Sequence, residues 1–278
     1  MAGIMRMYNL RGGFDGMENE IPLMAFWYTL GYTTRTDLAL LINLRLRLDL
    51  VGAAVLDWTP RLPIPIHQRA EEIESLQLAV RDVVSDLEHE YPVLYPTVQA
   101  FKMMSSVAEV VNKNGNSEDF WRREVEAIRL IGPVTHHLLS IPRLSATAKF
   151  DPYASFVGEL ARLACLMLLS RLKTRFSLNA LDMQPLQTKL VNTVAQNSGK
   201  LDPKLGGLAL WALMTAALVQ PVVAREYLLP HILISCSSKG FCTEAAMGFT
   251  RSTLWMNELE DNEEWKLAGE IENYSKKL

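Results

Sequence analysis

The chain has 278 residues, a formal net charge of −3, 49% hydrophobic and 21% charged residues. That length buries a sizeable core in one large domain or two small ones, and the hydrophobic share is too high for a disordered chain. The charge balance excludes the global basic signature of a nucleic-acid binder, and three cysteines, Cys165, Cys236 and Cys242, are too few for a disulfide framework and point to a reducing compartment.

Helical signals dominate from the first residues, and strand-type alternation is scarce. The opening "RMYNLRGGFDGM" places Gly12 and Gly13 after a stretch, 1–11, that reads as a helix. A phosphate loop of the Walker type needs Lys-Ser/Thr after its last glycine and a helix starting there. Here Phe14 and Asp15 follow instead, so a glycine in the left-handed position closing helix 1–11 is the economical reading, with Arg11 offsetting the helix carboxyl end. Thr36 is placed to cap "DLALLINLRLRLDLVGAAVLDW", and "TPRLPIPIH" at 59–67 is too proline-rich for anything but an extended connector. In "QRAEEIESLQLAVRDVVSDLEHE" at 68–90, Ile73, Leu76, Val80, Val83, Val84 and Leu87 recur at three- and four-residue steps, which stacks them on one helix face. "YPVLYP" stops that helix, because proline lacks the amide donor.

Further along, "NKNGNS" at 112–117 reads as a turn, with Ser117 capping a helix that runs to Gly132-Pro133. "FDP" at 150–152 opens a long helix to about Phe176, and Pro185 and Pro203 suit the first turns of helices. "LGGLALWALMTAALV" at 205–219 is short of the roughly 20 residues that span a bilayer and reads as a buried helix. The last two helices are expected at about 222–237, broken or kinked at Pro230, and 243–258, capped by Thr243. The expected fold is all-α: a single compact multi-helix domain of about ten helices over 1–278, with no regular sheet. The turn at 112–117 is the one place where it would subdivide.

Few constellations carry chemistry. His136 and His137 are adjacent, so on a helix they point about 100° apart and seldom share one ion. Cys236 and Cys242 have no second pair nearby to complete a zinc site, and no Gly-x-Ser-x-Gly elbow occurs. Phe26, Trp27 and Trp211 sit among aliphatic residues, as core aromatics do. No catalytic, cofactor-binding or metal-ligating residue is assigned. The acidic end, with 7 acidic against 3 basic residues over 258–278, reads as a solvated face. Residues 149–204 carry 8 basic against 4 acidic residues, and Arg171, Lys173 and Arg175 are the one stretch nominated for an anionic partner.

Taken in order, "MRMYNLRGGFDGM", "LVGAAVLDW" and "TPRLPIPI" resemble the fungal-specific transcription factor domain, the helical region that follows the Zn₂Cys₆ cluster of fungal regulators. In that family a helix runs into a Leu-Arg-Gly-Gly turn, matched here by Leu10, Arg11, Gly12 and Gly13. "GGLALWALMTAALV" followed by "AREYLLPHI", and the closing "TLWMNEL", are similar to the family's later helices, the last bearing a tryptophan. The similarity runs from residue 1 to about 260. Six cysteines in a compact array make the zinc cluster, and this chain has three scattered ones. It also opens at the helix leading into the glycine turn, where members carry upstream residues. The expectation is therefore a longer natural protein or a stand-alone relative without its own DNA-reading module.

The resemblance implies a nuclear regulatory domain, otherwise cytoplasmic and not secreted, acting through protein partners, self-association or a small-molecule effector. DNA would be reached only indirectly or through an upstream module, no membrane is expected, and no cofactor belongs to this chain, since a zinc cluster would lie upstream. A chain of this kind could pair with a full-length regulator and titrate it, because dimers reading paired half-sites need two DNA modules. The alternative is a helical small-molecule-binding protein or biosynthetic enzyme, suggested by the richness in Met and aromatic residues.

Overall fold

The computed structural model describes residues 50, 52–60, 87, 89–143, 151–178, 180, 182–196, 204–219, 225–257 and 263–277. The turn motif Leu10–Gly13, the cap Thr36, most of the amphipathic stretch 68–90 and Pro203 lie outside the described residues. Ten helices have both ends among the described residues, and no strand occurs there, as the all-α reading requires. A 3₁₀ turn, Pro92–Leu94, leads into α1 (Tyr95–Asn114), α2 (Glu118–Trp121), α3 (Glu124–Ser140), α4 (Pro152–Arg175) and α5 (Met183–Gln196). Then come α6 (Gly206–Val219), α7 (Leu229–Lys239), α8 (Thr243–Thr253) and α9 (Glu263–Ser275).

Helix α4 is the axis of the fold. Asp151 starts it in extended backbone, its Oδ1 accepting from the amides of Tyr153 and Ala154 at 3.1 and 2.9 Å, with Pro152 in the first turn. Two orphan amides are thereby satisfied, and proline sits where its missing N–H costs nothing. Every residue from Ala154 to Ser170 is buried. By length and composition α4 could cross a membrane, but 94% of its apolar window is buried inside the fold, where other helices take up that surface. Its most extensive partner is α6, buried throughout from Leu208 to Val219. A helix apolar on every side is stable in water only as the centre of a layer of others. The 3₁₀ turn, α1, α3 and α5 pack around α4, while α7, α8 and α9 pack around α6. Trp211 of α6 joins the two groups: its ring meets Phe101 of α1 edge-on at 4.5 Å, and its Nε1 donates to the Leu254 carbonyl at 3.0 Å.

Several expectations are corrected. The helix at 118–131 is two pieces, parted at Arg122 and Arg123, and α3 runs straight through Gly132-Pro133. One lost backbone hydrogen bond at Pro133 is outweighed by burial of Val134, Leu138 and Leu139 beyond it. The turn read at 112–117 is present, and Trp121 Nε1 donates to the Gly115 carbonyl there at 2.7 Å. At Pro230 the expected helix takes its broken form: α7 starts at Leu229, after turns at 226–228, with the proline in its first turn. Helix α8 stops at Thr253, so Trp255 lies outside it, and Cys242, not Thr243, is the cap position. The acidic end contains a helix, α9, one side of which buries Glu264, Leu267 and Ile271, while Trp265, Lys266, Glu272 and Asn273 stay exposed, so the solvated-face reading holds for the other side only.

Packing around α4 is tight where the 3₁₀ turn crosses it. A Cβ on Gly158 would lie 2.8 Å from Leu94 Cδ2 and 3.3 Å from Thr97 Oγ1, and Leu94 is itself fully buried. Gly158→Val forces that crossing apart and is expected to destabilise the fold by about 1–3 kcal/mol despite its better helix propensity. Urea unfolding midpoints of the two proteins measure the effect.

Candidate functional site

An α-helix buried on all sides has no room for an unpaired charge, yet α4 carries Glu159 and Arg162, at 4% and 0% exposure. One turn apart, they meet on the same helix face. Arg162 donates from Nε to Glu159 Oε2 and from Nη2 to Oε1, both at 2.7 Å, the two-pronged geometry that suits guanidinium and carboxylate.

Three residues from distant parts of the chain complete the group. Asp57 ends the helical segment 52–56 with φ at +52°, a left-handed conformation that aspartate tolerates better than most residues. That turn brings its carboxylate to Arg162 Nη2 at 3.1 Å and to Arg143 Nε at 3.0 Å. Arg143, just past the end of α3, also donates through Nη1 to the carbonyls of Leu139 and Ile141 at 3.0 and 2.8 Å. It thus serves the orphan acceptors at that helix's carboxyl end. From α5, Lys189 bonds Asp57 Oδ2 and lies 3.0 Å from Glu159 Oε1.

The electrostatics follow. Burial pushes the Glu159 carboxyl up, but hydrogen bonds and charge from Arg162 and Lys189 outweigh it and hold the group below its ordinary value. Asp57 behaves alike, burial being overcome by Lys189, Arg162 and Arg143. Burial disfavours charge on Arg162, yet Glu159 and Asp57 more than compensate and hold its proton more tightly. Asp57, Glu159 and Arg162 are thus held in their charged forms, and among the described residues three basic side chains meet two carboxylates. Two guanidinium nitrogens, Arg162 Nη1 and Arg143 Nη2, are buried with no hydrogen-bond partner. Beside it, a shallow depression of about 400 Å³, largely open to solvent, runs along α5, its described lining being Gln184, Pro185, Thr188, Lys189 and Asn192. Lys189 belongs to both.

The nominated basic stretch is taken apart by the fold. Lys173 is buried, its Nζ donating to Asp182 Oδ2 at 2.7 Å, while Ser170 donates to Oδ1 at 3.0 Å. Ser177, left-handed at φ +57°, turns the chain so that Asp182 returns against α4. Arg171 is half-buried, and Arg175 is exposed with its guanidinium 5.2 Å from the Trp121 ring centre. Positions i and i+2 of a helix point to nearly opposite sides, so the middle member faces inward. His137 Nε2 lies 2.9 Å from the Pro96 carbonyl and His136 beside Ser140, so the two imidazoles serve separate contacts. Among the described residues, no three of His, Cys, Asp and Glu are grouped to hold a metal ion. Cys165 is wholly buried, and burial pushes its thiol up, as for an inert core residue.

None of the five cluster residues stands out in the sequence as a site. The available signal was Glu159 and Arg162 three apart in an otherwise uncharged run; their partners at 57, 143 and 189 carry no local mark. Comparison of the chain with protein-family models, curated proteins and solved structures finds no match.

Because both carboxyls titrate below their ordinary values of 3.8 and 4.5, the stability they contribute is present above those values and lost as pH falls through the lower folded ones. Glu159→Gln, which leaves Arg162 buried without its countercharge, is expected to cost roughly 3–5 kcal/mol at neutral pH. The gap from wild type should close as pH drops below about 4, a trend that urea midpoints across the acid range will register.

Proposed function

We propose that the chain is a regulatory domain of the transcription-regulator type, holding no DNA-reading zinc cluster among these residues and acting through a bound effector or protein partner. The observation that supports this reading is the Asp57 hub. One carboxylate at the surface edge of the core, 31% exposed, holds cations from three separate parts of the chain. Whatever competes for Lys189 at the depression alters how tightly the segment ending at Asp57 is held to α4. An effector that favours one of two packings needs only such a differential contact to shift their balance. The depression beside Lys189 favours effector binding over an inert scaffold, and it gives the small-molecule-binding alternative its footing as well.

A reporter assay tests the reading. With the full chain fused to a heterologous DNA-binding module, reporter output is expected to differ from that of the module alone. Asp57→Asn should change that difference at equal protein abundance. Output equal to that of the bare module would overturn the proposal. Retardation of a specific DNA duplex by the purified chain on its own would overturn the further idea that it titrates a DNA-reading partner.

A further inference from the structure

The turn after α1 holds the sole Asn-Gly pair of the sequence, Asn114–Gly115. Glycine has no side chain to shield its amide nitrogen from the carboxamide before it, so in a free chain this pair reacts with itself. The Gly115 nitrogen gives up its proton and attacks Asn114 Cγ. The N–Cγ bond forms, the Cγ–Nδ2 bond breaks, and the leaving nitrogen takes up a proton and departs as ammonia. Water then opens the cyclic imide. Addition at Cγ gives aspartate, and addition at the main-chain carbonyl of residue 114 gives isoaspartate, in which the backbone runs through the former side chain. Nothing is oxidised or reduced, and water is the other reactant.

The fold opposes each requirement of that reaction. Asn114 is the last residue of α1, and Gly115 continues the helical backbone at φ −62° and ψ −20°. The Gly115 N–H, which must be lost, donates to the Val111 carbonyl at 2.7 Å. The Asn114 carboxamide is folded back along the helix, its Nδ2 donating to the Val110 carbonyl at 2.8 Å. Ring closure requires Asn114 to leave helical backbone and swing Cγ forward onto the Gly115 nitrogen, which breaks both bonds. On its other side, Gly115 accepts from Trp121 Nε1 at 2.7 Å, and the Trp121 ring is buried against Phe120 and Phe176. Gly115 is therefore held at both its N–H and its carbonyl. Helix ends are also where a structure opens at least cost. The reactive pair thus stands at a point that is closed in the native fold and exposed by a small local opening.

We propose that Asn114–Gly115 is a self-modifying site held off by the closed end of α1, converting to aspartate or isoaspartate at a rate set by how often this turn opens. Conversion marks the molecule, because water restores no amide. A carboxylate at position 114 meets the negative end of α1. Isoaspartate also adds a carbon to the backbone, which moves the Gly115 carbonyl off Trp121, so a converted chain does not close again in the same form. This site lies apart from the Asp57 group in sequence, and its chemistry does not depend on the regulatory reading.

The full chain is incubated in mildly alkaline buffer, folded in one sample and in guanidinium chloride in another. Peptide mapping then separates the asparagine, aspartate and isoaspartate forms of residue 114 over time. Conversion is expected in denaturant and at least about tenfold more slowly in the folded chain. Gly115→Ala, whose methyl group shields the nitrogen, should suppress conversion in denaturant; the helical φ of Gly115 accepts alanine. Trp121→Phe keeps a ring against Phe176 and removes the donor to Gly115. It should speed conversion in the folded chain about threefold or more and leave the rate in denaturant unchanged. Equal rates in the folded and denatured chains, or no conversion at 114 in denaturant, overturn the proposal. So does a folded Trp121→Phe chain that converts no faster than its parent. The comparison of folded with denatured chain uses no variant, so it decides the matter even if Trp121→Phe does not fold.

Discussion

A salt bridge inside the long buried helix α4 governs this structure. Glu159 and Arg162 lie on α4 within a stretch where every neighbour is enclosed, so neither can be solvated. Desolvating two ions costs several kcal/mol each, and their mutual attraction offsets that only when the geometry is close and the remaining polar atoms are served. Glu159 meets this condition through Arg162 and Lys189, whereas Arg162 is paired with Glu159 and Asp57 but keeps Nη1 buried without a hydrogen-bond partner. The helix therefore requires contributions from segments more than a hundred positions before it and about thirty after it.

The same device recurs at two other junctions. Asp182 returns from the turn after α4 to meet Lys173 and Ser170, fixing where α5 begins. Arg225, wholly buried, donates through Nε to the Ala217 carbonyl at 2.7 Å and is paired with Glu263 and Glu270, tying the end of α6 to α9. In each case a buried cation sits where a helix ends and its last carbonyls lack partners, or where the chain must turn back. Apolar packing alone tolerates sliding between helices, whereas a buried ion pair is satisfied in one register. We regard these pairs as devices of specificity for the arrangement of helices, with net stability supplied by the apolar layer between α4 and α6.

The three junctions differ in one respect that bears on function. Lys173 with Asp182 balances one charge against one, and Arg225 faces two carboxylates. Counted over the described residues, the Asp57 cluster has more cations than carboxylates, and its Lys189 lies at the surface along α5. A surplus charge at a surface-accessible junction makes the arrangement responsive to what binds there, which is the physical basis of the regulatory reading.

Much of the architecture was legible in the linear chain. The apolar run ending in Val219, the long helix opening at 150–152, the end of the 68–90 stretch before Pro92 and the core place of Trp211 all follow from periodicity, turn chemistry and local hydrophobicity, which act over a few residues. Pro133 misled because the cost of one missing hydrogen bond is local while the burial that repays it is tertiary. Helix α9 was hidden by its acidic composition, since the arginines that neutralise it, Arg225 and Arg251, come from elsewhere. The site was hidden for the same reason. Sequence by itself determined the all-helical class and the helices marked by prolines and long apolar runs, because those properties reside in short-range backbone and side-chain preferences. Which charges meet was decided only by the tertiary structure, because Coulomb pairing in a low-dielectric core depends on distances that the order of residues does not contain.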